Sequence, residues 1–207
     1  MTARADRVVT AGTFSLDGQT FDVDNNVWII GDDDECVVLD APHSVDDILA
    51  AVGERRLKAI LCTHAHDDHV RFAPELRART NAPIFLHPAD RPVWELTHPD
   101  DLWDVELSDG QVIEVAGIEL RAMHTPGHTP GAVCFHAEGL GCVFTGDTLF
   151  NRGPGATGRS FSDYDTIVGS IISSLFSLPD DTVVHPGHGD DTTIGAEKTN
   201  LADTRDV

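Results

Sequence analysis

One stretch of this sequence decides both its fold and its chemistry: Leu61-Cys62-Thr63-His64-Ala65-His66-Asp67-Asp68-His69. Its first three residues are the end of an apolar, strand-like run over residues 57–63. In an extended backbone the side chains at 64, 66 and 68 point to one side, and a turn into a following helix brings the side chain at 69 towards them. Four side chains that can ligate a metal therefore converge at the end of a strand.

The types of these side chains indicate a metal site. Imidazole and carboxylate groups are the ligands that suit zinc, iron or manganese. The stretch lacks the paired cysteines of a closed structural zinc site. Three histidines and an aspartate within six positions, directly after an apolar strand, are more than a solvated polar turn explains.

Three later segments repeat the pattern of an apolar strand that ends in a tight turn bearing a ligand-type residue. They read MHTPGH over residues 123–128, VFTGDT over 143–148 and VHPGHG over 184–189. Each turn contains glycine, which permits a positive φ or a close backbone approach in a crowded ligand shell. Together with the first stretch they predict one shared site.

These motifs resemble, in the same order, those of the metallo-β-lactamase superfamily. THAHDDH is similar to the HxHxDH motif, and HTPGHTPG, FTGDTLF and VVHPGHG are similar to the later ligand motifs. The resemblance runs from about residue 27 to about residue 200. It implies an α/β fold: an αββα sandwich of two mixed sheets with helices on the outer faces and a two-metal site at one edge.

The resemblance assigns seven ligands to two divalent cations: His64, His66 and His128 to the first, Asp68, His69 and His188 to the second, and Asp147 as a bridge. Zinc is the expected metal, with iron or manganese as alternatives. Two ions roughly 3.5 to 4 Å apart hold a hydroxide that exists at neutral pH, and this hydroxide is the expected nucleophile. The two carboxylates of the set are the candidate catalytic residues.

Among superfamily members, the glyoxalase II type resembles this chain best. Asp147 within GDTLF corresponds to a metal-bridging carboxylate, which true β-lactamases generally lack. We therefore expect a binuclear hydrolase that cleaves a small acyl thioester of a low-molecular-weight thiol. Glyoxalase II enzymes continue into a helical domain that contacts glutathione, whereas this chain ends seven residues after Asn200. A single domain over residues 1–207 without that helical domain is expected, and the thiol carrier stays open.

Arg159 is the first candidate for a substrate-binding residue, and Arg152 is the second. Both lie in the segment NRGPGATGR, residues 151–159, and Arg159 resembles the basic residue that follows GDTLF in the family. A guanidinium there is suited to a substrate carboxylate or a polar thiol carrier.

An oxidoreductase is the alternative. Persulfide dioxygenases also resemble this chain, and in that interpretation His64, His128 and Asp147 hold a single iron that activates oxygen. The intact Asp68, His69 and PGHG segment favour two metals and hydrolysis. A non-catalytic module is a third interpretation, which the complete set of seven ligands disfavours.

Composition limits the other functions. The chain has 207 residues, of which 41% are apolar and 24% charged, as in a folded domain. A formal charge of −21 disfavours binding to nucleic acid or to an anionic membrane, so the expected partner is a small-molecule substrate. The sequence lacks an apolar window of 18 residues, and its start lacks a signal-peptide core, which predicts a cytoplasmic protein. The oligomeric state stays open.

Apolar runs and capping residues predict the elements. Strands are expected at residues 7–14, 25–30, 35–40, 57–63, 82–87, 111–123, 131–136, 141–147 and 181–187. Helices are expected after Ser44, from His69 to Thr80, and after Ser162 or Asp163 with a stripe that ends at Phe176. Residues 97–110 and 151–162 are predicted loops, of a length that is often functional. The four cysteines are expected to be buried free thiols, and the histidines outside the motifs to be exposed or locally hydrogen-bonded.

Overall fold

Two six-stranded sheets form the centre of the molecule. The computed structural model describes residues 2–203. Residue 1 and residues 204–207, which the single-domain prediction includes, lie outside the described residues.

The strands are, in chain order, β1 (Arg4–Leu16), β2 (Gln19–Gly31), β3 (Glu35–Leu39), β4 (Arg56–Leu61), β5 (Ile84–Leu86), β6 (Val105–Glu106), β7 (Val112–Val115), β8 (Ile118–His124), β9 (Val133–Ala137), β10 (Cys142–Gly146), β11 (Leu149–Phe150), β12 (Gly153–Pro154), β13 (Val183–Pro186) and β14 (Thr192–Thr193). The first sheet has the order β1-β2-β3-β4-β5-β6, the second β14-β13-β10-β9-β8-β7, and β11 pairs with β12. Both large sheets contain parallel and antiparallel pairs, so both are mixed, as predicted.

The helices are α1 (Val45–Val52), α2 (Asp67–Val70), α3 (Ala73–Thr80), α4 (Arg91–Thr97), α5 (Tyr164–Ser173) and α6 (Ile194–Asp203). Within the described part of the chain, none of them has the length and apolar character needed to cross a membrane.

Three buried clusters show how these layers pack. One joins the inner faces of the two sheets, one joins the first sheet to α1, α3 and α4, and one joins the second sheet to α5 and α6. Strand β3 shows why apolar clusters form on both faces of the first sheet. Its Val37 and Leu39 face the other sheet, whereas its Cys36 and Val38 face the helices. A strand that is buried on both faces reads as a continuous apolar run. The predicted αββα sandwich is confirmed.

The predicted helix caps are confirmed. The backbone N–H of Asp47 donates to Ser44 Oγ at 3.2 Å, and Asp163 caps α5 by accepting from the N–H of Thr166 at 2.8 Å. The stripe after Asp163 ends earlier than predicted, because α5 stops at Ser173 and a separate 3₁₀ turn follows over Leu175–Ser177.

The single helix predicted from His69 to Thr80 is wrong, since the chain forms α2 and α3 with a break between them. The carbonyl of Asp68, which would accept from Phe72 N–H in a continuous helix, instead accepts the side-chain amide of Asn25 at 2.8 Å. The N–H of Phe72 donates to the carbonyl of Ala41 at 2.9 Å. Tertiary hydrogen bonds therefore replace the helical ones at this point.

The predicted run over residues 111–123 is a hairpin and not one strand. It turns at Ala116 and Gly117, both of which have positive φ, between β7 and β8. The four cysteines are buried free thiols, as predicted, and burial raises the pKa of Cys134 to about 11.

Candidate metal centre

The ends of strands from both sheets meet at one edge of the sandwich. The loop after β4 carries His64 and His66, and α2, which follows it, carries Asp68 and His69. The turn after β8 carries His128, and the turns after β10 and β13 carry Asp147 and His188. Backbone hydrogen bonds fasten these turns together: Gly187 N–H donates to the carbonyl of Gly146 at 2.8 Å, and Val133 N–H donates to that of Thr63 at 2.8 Å. The sheets therefore hold the candidate ligands on regular, hydrogen-bonded backbone.

All seven predicted ligands come together here. Their donor atoms form three overlapping groups, each with its atoms within 4.8 Å of one another: His64, His66 and His128; His64, His69 and Asp147; and Asp68, His69 and His188. We refer to the first of these groups as the first cluster and to the last as the second cluster.

The first cluster consists of three buried imidazoles. His66 Nδ1 lies 3.1 Å from His64 Nε2 and 3.0 Å from His128 Nε2. Burial, reinforced by the neighbouring imidazoles, lowers the pKa of His64 well below its usual value, and burial lowers that of His66 to about 3. These rings are therefore neutral at pH 7, and each can offer a lone pair to a cation placed between them.

The second cluster combines two imidazoles with the carboxylate of Asp68, and the carboxylates of Asp147 and Asp40 lie beside it. His188 Nε2 lies 3.3 Å from Asp68 Oδ2 and 3.2 Å from His69 Nε2. Burial by itself lowers the pKa of His69, but the charges of Asp147, Asp68 and Asp40 outweigh it and raise that pKa well above its usual value. The same balance raises the pKa of His188 to about 10. This cluster favours positive charge, which a divalent cation provides more strongly than a proton.

Asp147 lies between the two clusters. Its Oδ2 is 3.6 Å from His128 Nε2 and 3.4 Å from His188 Nε2, and its Oδ1 is 3.3 Å from His69 Nε2. That Oδ1 is buried and forms no hydrogen bond with the described residues, although it is close to the imidazole. A buried carboxylate oxygen of this kind is free to bind a cation.

Hydrogen bonds on the outer nitrogens orient the imidazoles. His128 Nδ1 lies 2.9 Å from the carbonyl of Ala156, and His188 Nδ1 lies 2.8 Å from that of Asp24. A carbonyl only accepts, so each Nδ1 carries the proton and each Nε2 presents a lone pair to the centre when the ring is neutral. This is the arrangement that metal-binding histidines adopt. The residues present therefore fit a pair of divalent cations.

Asp40 was not among the predicted site residues, yet it orients two of them. Its carboxylate accepts from His69 Nδ1 at 2.8 Å, from Thr63 N–H at 2.7 Å and from Thr63 Oγ1 at 2.8 Å. Thr63 Oγ1 in turn lies 3.1 Å from His64 Nδ1. Asp40 directly follows the run ECVVL, so it has the same position after a strand as the predicted ligands, and that signal could have identified it.

Asn25 supports the second cluster from β2. Its Nδ2 donates to the carbonyl of Asp68 at 2.8 Å and lies 3.2 Å from Asp68 Oδ2. His43 Nε2 donates to Asn25 Oδ1 at 2.9 Å. The expectation that His43 is exposed or locally hydrogen-bonded is wrong, because its ring is buried and its partner Asn25 lies 18 residues away on β2.

Asp90 joins two ligand-bearing segments from beneath. Its carboxylate accepts from the backbone N–H of Ala65 at 2.8 Å, from Thr129 Oγ1 at 2.8 Å and from the N–H of Gly131. Ala65 lies between two candidate ligands and Thr129 follows another. Burial raises the pKa of Asp90 to about 6 despite these hydrogen bonds. Nothing in the local sequence separates Asp90 from the aspartates at the surface, so only the fold identifies it as buried and hydrogen-bonded.

Two glycines are required by the packing of the site. A Cβ at Gly187 would lie 2.6 Å from Asp147 Oδ1 and 2.8 Å from His69 Cε1. Gly127 has a φ of +135°, and a Cβ there would lie 2.2 Å from Ile167 N at the start of α5. The expected close backbone approach is confirmed at both turns.

A cavity of about 280 Å³ opens directly onto the clusters. Candidate ligands form its floor, and its walls carry the apolar side chains of Phe14, Phe21, Val23, Phe150 and Ala156. Arg159, predicted to bind substrate, also lines the cavity, together with Ser160 and Ser162 of the predicted loop.

The β1–β2 hairpin at this cavity was missed by sequence analysis. Its tip is Asp17-Gly18, where both residues have positive φ as in a two-residue hairpin turn. An Asp-Gly pair between two runs of strand-forming residues is a recognised hairpin signal, so this element was predictable.

Comparison with known proteins agrees with this geometry. A family model described as the metallo-β-lactamase superfamily matches residues 20–188. The chain belongs to the metallo-β-lactamase superfamily.

Among curated proteins, the hydroxyacylglutathione hydrolase GloC of Haemophilus influenzae is 32% identical over 191 residues, which cover 84% of this chain and 89% of GloC. Among solved structures, TTHA1623 in a di-iron-bound form is 31% identical with a TM-score of 0.77 and coverage of 86% and 94%. ETHE1 from Myxococcus xanthus is 27% identical with a TM-score of 0.74 and coverage of 93% and 82%. The B3 metallo-β-lactamase BLEG-1 is 26% identical with a TM-score of 0.78 and coverage of 92% and 97%. The superfamily and the resemblance to a glyoxalase II-type hydrolase are thus confirmed.

Proposed function

We propose that this protein is a binuclear metal-dependent thioesterase that hydrolyses a small acyl thioester. One observation carries the proposal: seven buried or half-buried ligand-type side chains form two clusters joined by Asp147, at the floor of a cavity. The likeness to GloC supports thioester hydrolysis as the reaction.

The two clusters would hold the cations through the seven residues named above. When bound, the cations supply Lewis-acid polarisation of a carbonyl and a water molecule of lowered pKa. The chain itself contributes orientation, since Asp40 and the carbonyls at Ala156 and Asp24 keep imidazole lone pairs directed inward. Asn25 holds Asp68 in place. In the overall reaction the water oxygen bonds to the acyl carbon, the C–S bond breaks, and the sulfur leaves as a thiol with one of the water protons.

Arg159 is proposed to bind an anionic group of the substrate. Its guanidinium lies 4.6 Å from the ring centroid of Phe21, and its Nη1 donates to Gln19 Oε1 at 3.2 Å. Stacking on a ring holds the planar guanidinium in one orientation and leaves its in-plane N–H groups as donors to a carboxylate.

A mono-iron dioxygenase is the second candidate. His64, His128 and Asp147 supply the two imidazoles and the carboxylate of such a site, and TTHA1623 with its di-iron centre is an iron-bound protein of this fold. The assembled second cluster favours the hydrolase, because a single iron needs no further set of Asp68, His69 and His188.

A substrate panel with metal analysis separates these functions. The protein is purified, its metal content is measured by elemental analysis, and initial rates are compared for thioesters with one acyl group on several thiol carriers. We expect close to two metal ions per chain and release of free thiol. One iron per chain, with oxygen consumed when a thiol persulfide is added, would support the dioxygenase and overturn the thioesterase proposal. Cleavage of a β-lactam without cleavage of any thioester would also overturn the thioesterase proposal.

A further inference from the structure

The hairpin of β1 and β2 reaches over the candidate metal centre and supplies an aromatic surface that the proposed chemistry does not use. Phe14 and Phe21 are direct cross-strand partners, with ring centroids 6.5 Å apart and nearly parallel planes. Phe14 lies 5.1 Å from the ring of His66, which places it against the first cluster. Phe21 is 39% exposed although it is a large apolar side chain, so the hairpin leaves apolar area at the cavity instead of burying it.

The guanidinium of Arg159 completes this surface. It lies 4.6 Å from the centroid of Phe21 and 5.8 Å from that of Phe14. We call these two rings and the guanidinium the aromatic wall.

Contacts on two sides hold the aromatic wall in place. On the loop side, Ser160 N–H and Oγ donate to the carboxylate of Asp17 at 3.0 and 2.6 Å. On the metal side, Ser15 N–H donates to Asp67 Oδ1 at 3.0 Å, and Arg71 Nη2 donates to the carbonyl of Thr13 at 2.8 Å. Because the hairpin is tied both to α2 and to the 151–162 loop, its rings present a fixed shape to a substrate.

We propose that the aromatic wall is a specificity subsite that binds an apolar group of the substrate beside the bond that is cleaved. This inference rests on the proposed thioesterase function and goes beyond it by naming the substrate class: thioesters with an apolar substituent, in place of small polar ones. The apolar share of the cavity wall and the short distance from Phe14 to the first cluster carry the argument. The apolar group belongs either to the acyl part or to the thiol carrier.

Two series of substrates distinguish these sources. The first varies the acyl group from acetyl through butanoyl to phenylacetyl, with polar lactoyl for comparison, on the uncharged carrier N-acetylcysteamine. The second keeps the acetyl group and replaces that carrier by benzyl mercaptan. On the metal-loaded enzyme we expect kcat/KM to rise about fourfold for each methylene that reaches the wall, in one of the two series. Equal kcat/KM across both series would overturn the proposal.

Variants of the aromatic wall test which of its residues cause the preference for apolar substrates. Phe21→Ala should remove most of the preference for the apolar substrate, so that the ratio of kcat/KM between the butanoyl and acetyl thioesters of N-acetylcysteamine falls towards one. Phe14→Leu should retain more of the preference than Phe14→Ala, and the metal content of both is measured because Phe14 contacts a candidate ligand. The matched control is Phe161→Ala, since Phe161 is 40% exposed on the adjoining loop and does not line the cavity. An equal loss in Phe161→Ala and Phe21→Ala would contradict the subsite.

Binding without turnover keeps this inference separable from the proposed function. Thioether analogues of the same series, with a methylene in place of the thioester carbonyl, are titrated by calorimetry. If no thioester is hydrolysed, the thioesterase proposal fails, whereas tighter binding of apolar analogues that is lost in Phe21→Ala still supports the subsite. The subsite proposal is overturned if apolar and polar analogues bind equally tightly, or if none of the analogues binds.

Discussion

Replacement of Asp40 by asparagine should weaken the second cluster as a metal site while the fold is kept. The carboxylate accepts three hydrogen bonds, from His69 Nδ1 and from the N–H and Oγ1 of Thr63, at 2.7 to 2.8 Å. An amide has the same shape but turns one acceptor atom into a donor. If the NH₂ group of the introduced amide takes the place of Oδ1, it faces the N–H of Thr63, and two donors then meet. If the NH₂ group takes the place of Oδ2, it faces His69 Nδ1, and the imidazole must move its proton from Nδ1 to Nε2.

The size of the effect follows from these contacts. A buried donor left without an acceptor costs about 1 to 3 kcal/mol, so the metal-free Asp40→Asn protein should lose about that much free energy of unfolding. A proton on Nε2 blocks the lone pair that His69 presents to the centre, and loss of such an orienting partner lowers metal affinity about 10- to 100-fold. The first cluster is affected less, since Asp40 reaches it only through Thr63 and His64, while His128 is oriented by the carbonyl of Ala156.

Two measurements check this prediction. Zinc-loaded protein is dialysed against increasing concentrations of a chelator and its zinc content is measured, and the metal-free protein is unfolded in urea with circular dichroism as the signal. We expect the variant to release one zinc at a much lower chelator concentration than the wild type, and the other at a concentration closer to that of the wild type. The control is Asp46→Asn, because the carboxylate of Asp46 is exposed and pairs with Arg79 at the surface. An Asp40→Asn protein that retains both ions as the wild type does would refute the role assigned to this carboxylate.

Four further predictions follow from the site. Asp147→Ala should abolish turnover and lower the content of both ions, as measured by elemental analysis, because one carboxylate serves both clusters; retention of two ions would contradict the bridging role. Asp90→Ala should cost about 2 to 6 kcal/mol in urea unfolding, since it leaves two buried backbone N–H groups without an acceptor; an unchanged midpoint would show that water replaces it. In chelator-treated protein the free energy of unfolding should fall as the pH rises from about 6.5 towards 10, because the folded-state pKa of His188 is raised from 6.5 to about 10 and stability from a raised pKa is lost on deprotonation; a flat pH profile would count against it. Arg159→Ala should raise KM about tenfold for a carboxylate-bearing thioester with little change in kcat, whereas Arg152→Ala, outside the cavity lining, should not.

The ligand motifs were predictable because each of them is local. Strands β4, β10 and β13 read as short apolar runs, and each of the turns that follow bears its first ligand within three residues of the strand end. The sequence could therefore place the candidate ligands at strand ends, and the two mixed sheets bring those ends to one edge. The predicted site residues assemble as a group for this reason, although their role as metal ligands stays a prediction.

The supporting residues were not predictable in the same way. Asp90 acts through backbone N–H groups that lie 25 and 41 residues away in the chain, and such contacts leave no local pattern. The break between α2 and α3 has the same origin, since the amide of Asn25, 43 residues away, takes the carbonyl that a continuous helix would use. Periodicity reports which face of an element is apolar, but it does not report which backbone groups a distant side chain will claim.

Strand β2 runs from the mouth of the cavity to the centre of the sandwich. Phe21 lies near its start, Asn25 reaches the second cluster at its middle, and Ile30 lies between the sheets near its end. Because alternate residues of a strand face opposite sides, a one-residue insertion between Phe21 and Asn25 would turn one of them away from its task. The proposed substrate preference and the proposed metal binding therefore depend on the same strand. A hairpin taken from a relative should function only when the number of residues between its aromatic residue and its asparagine keeps both on the same face of the strand.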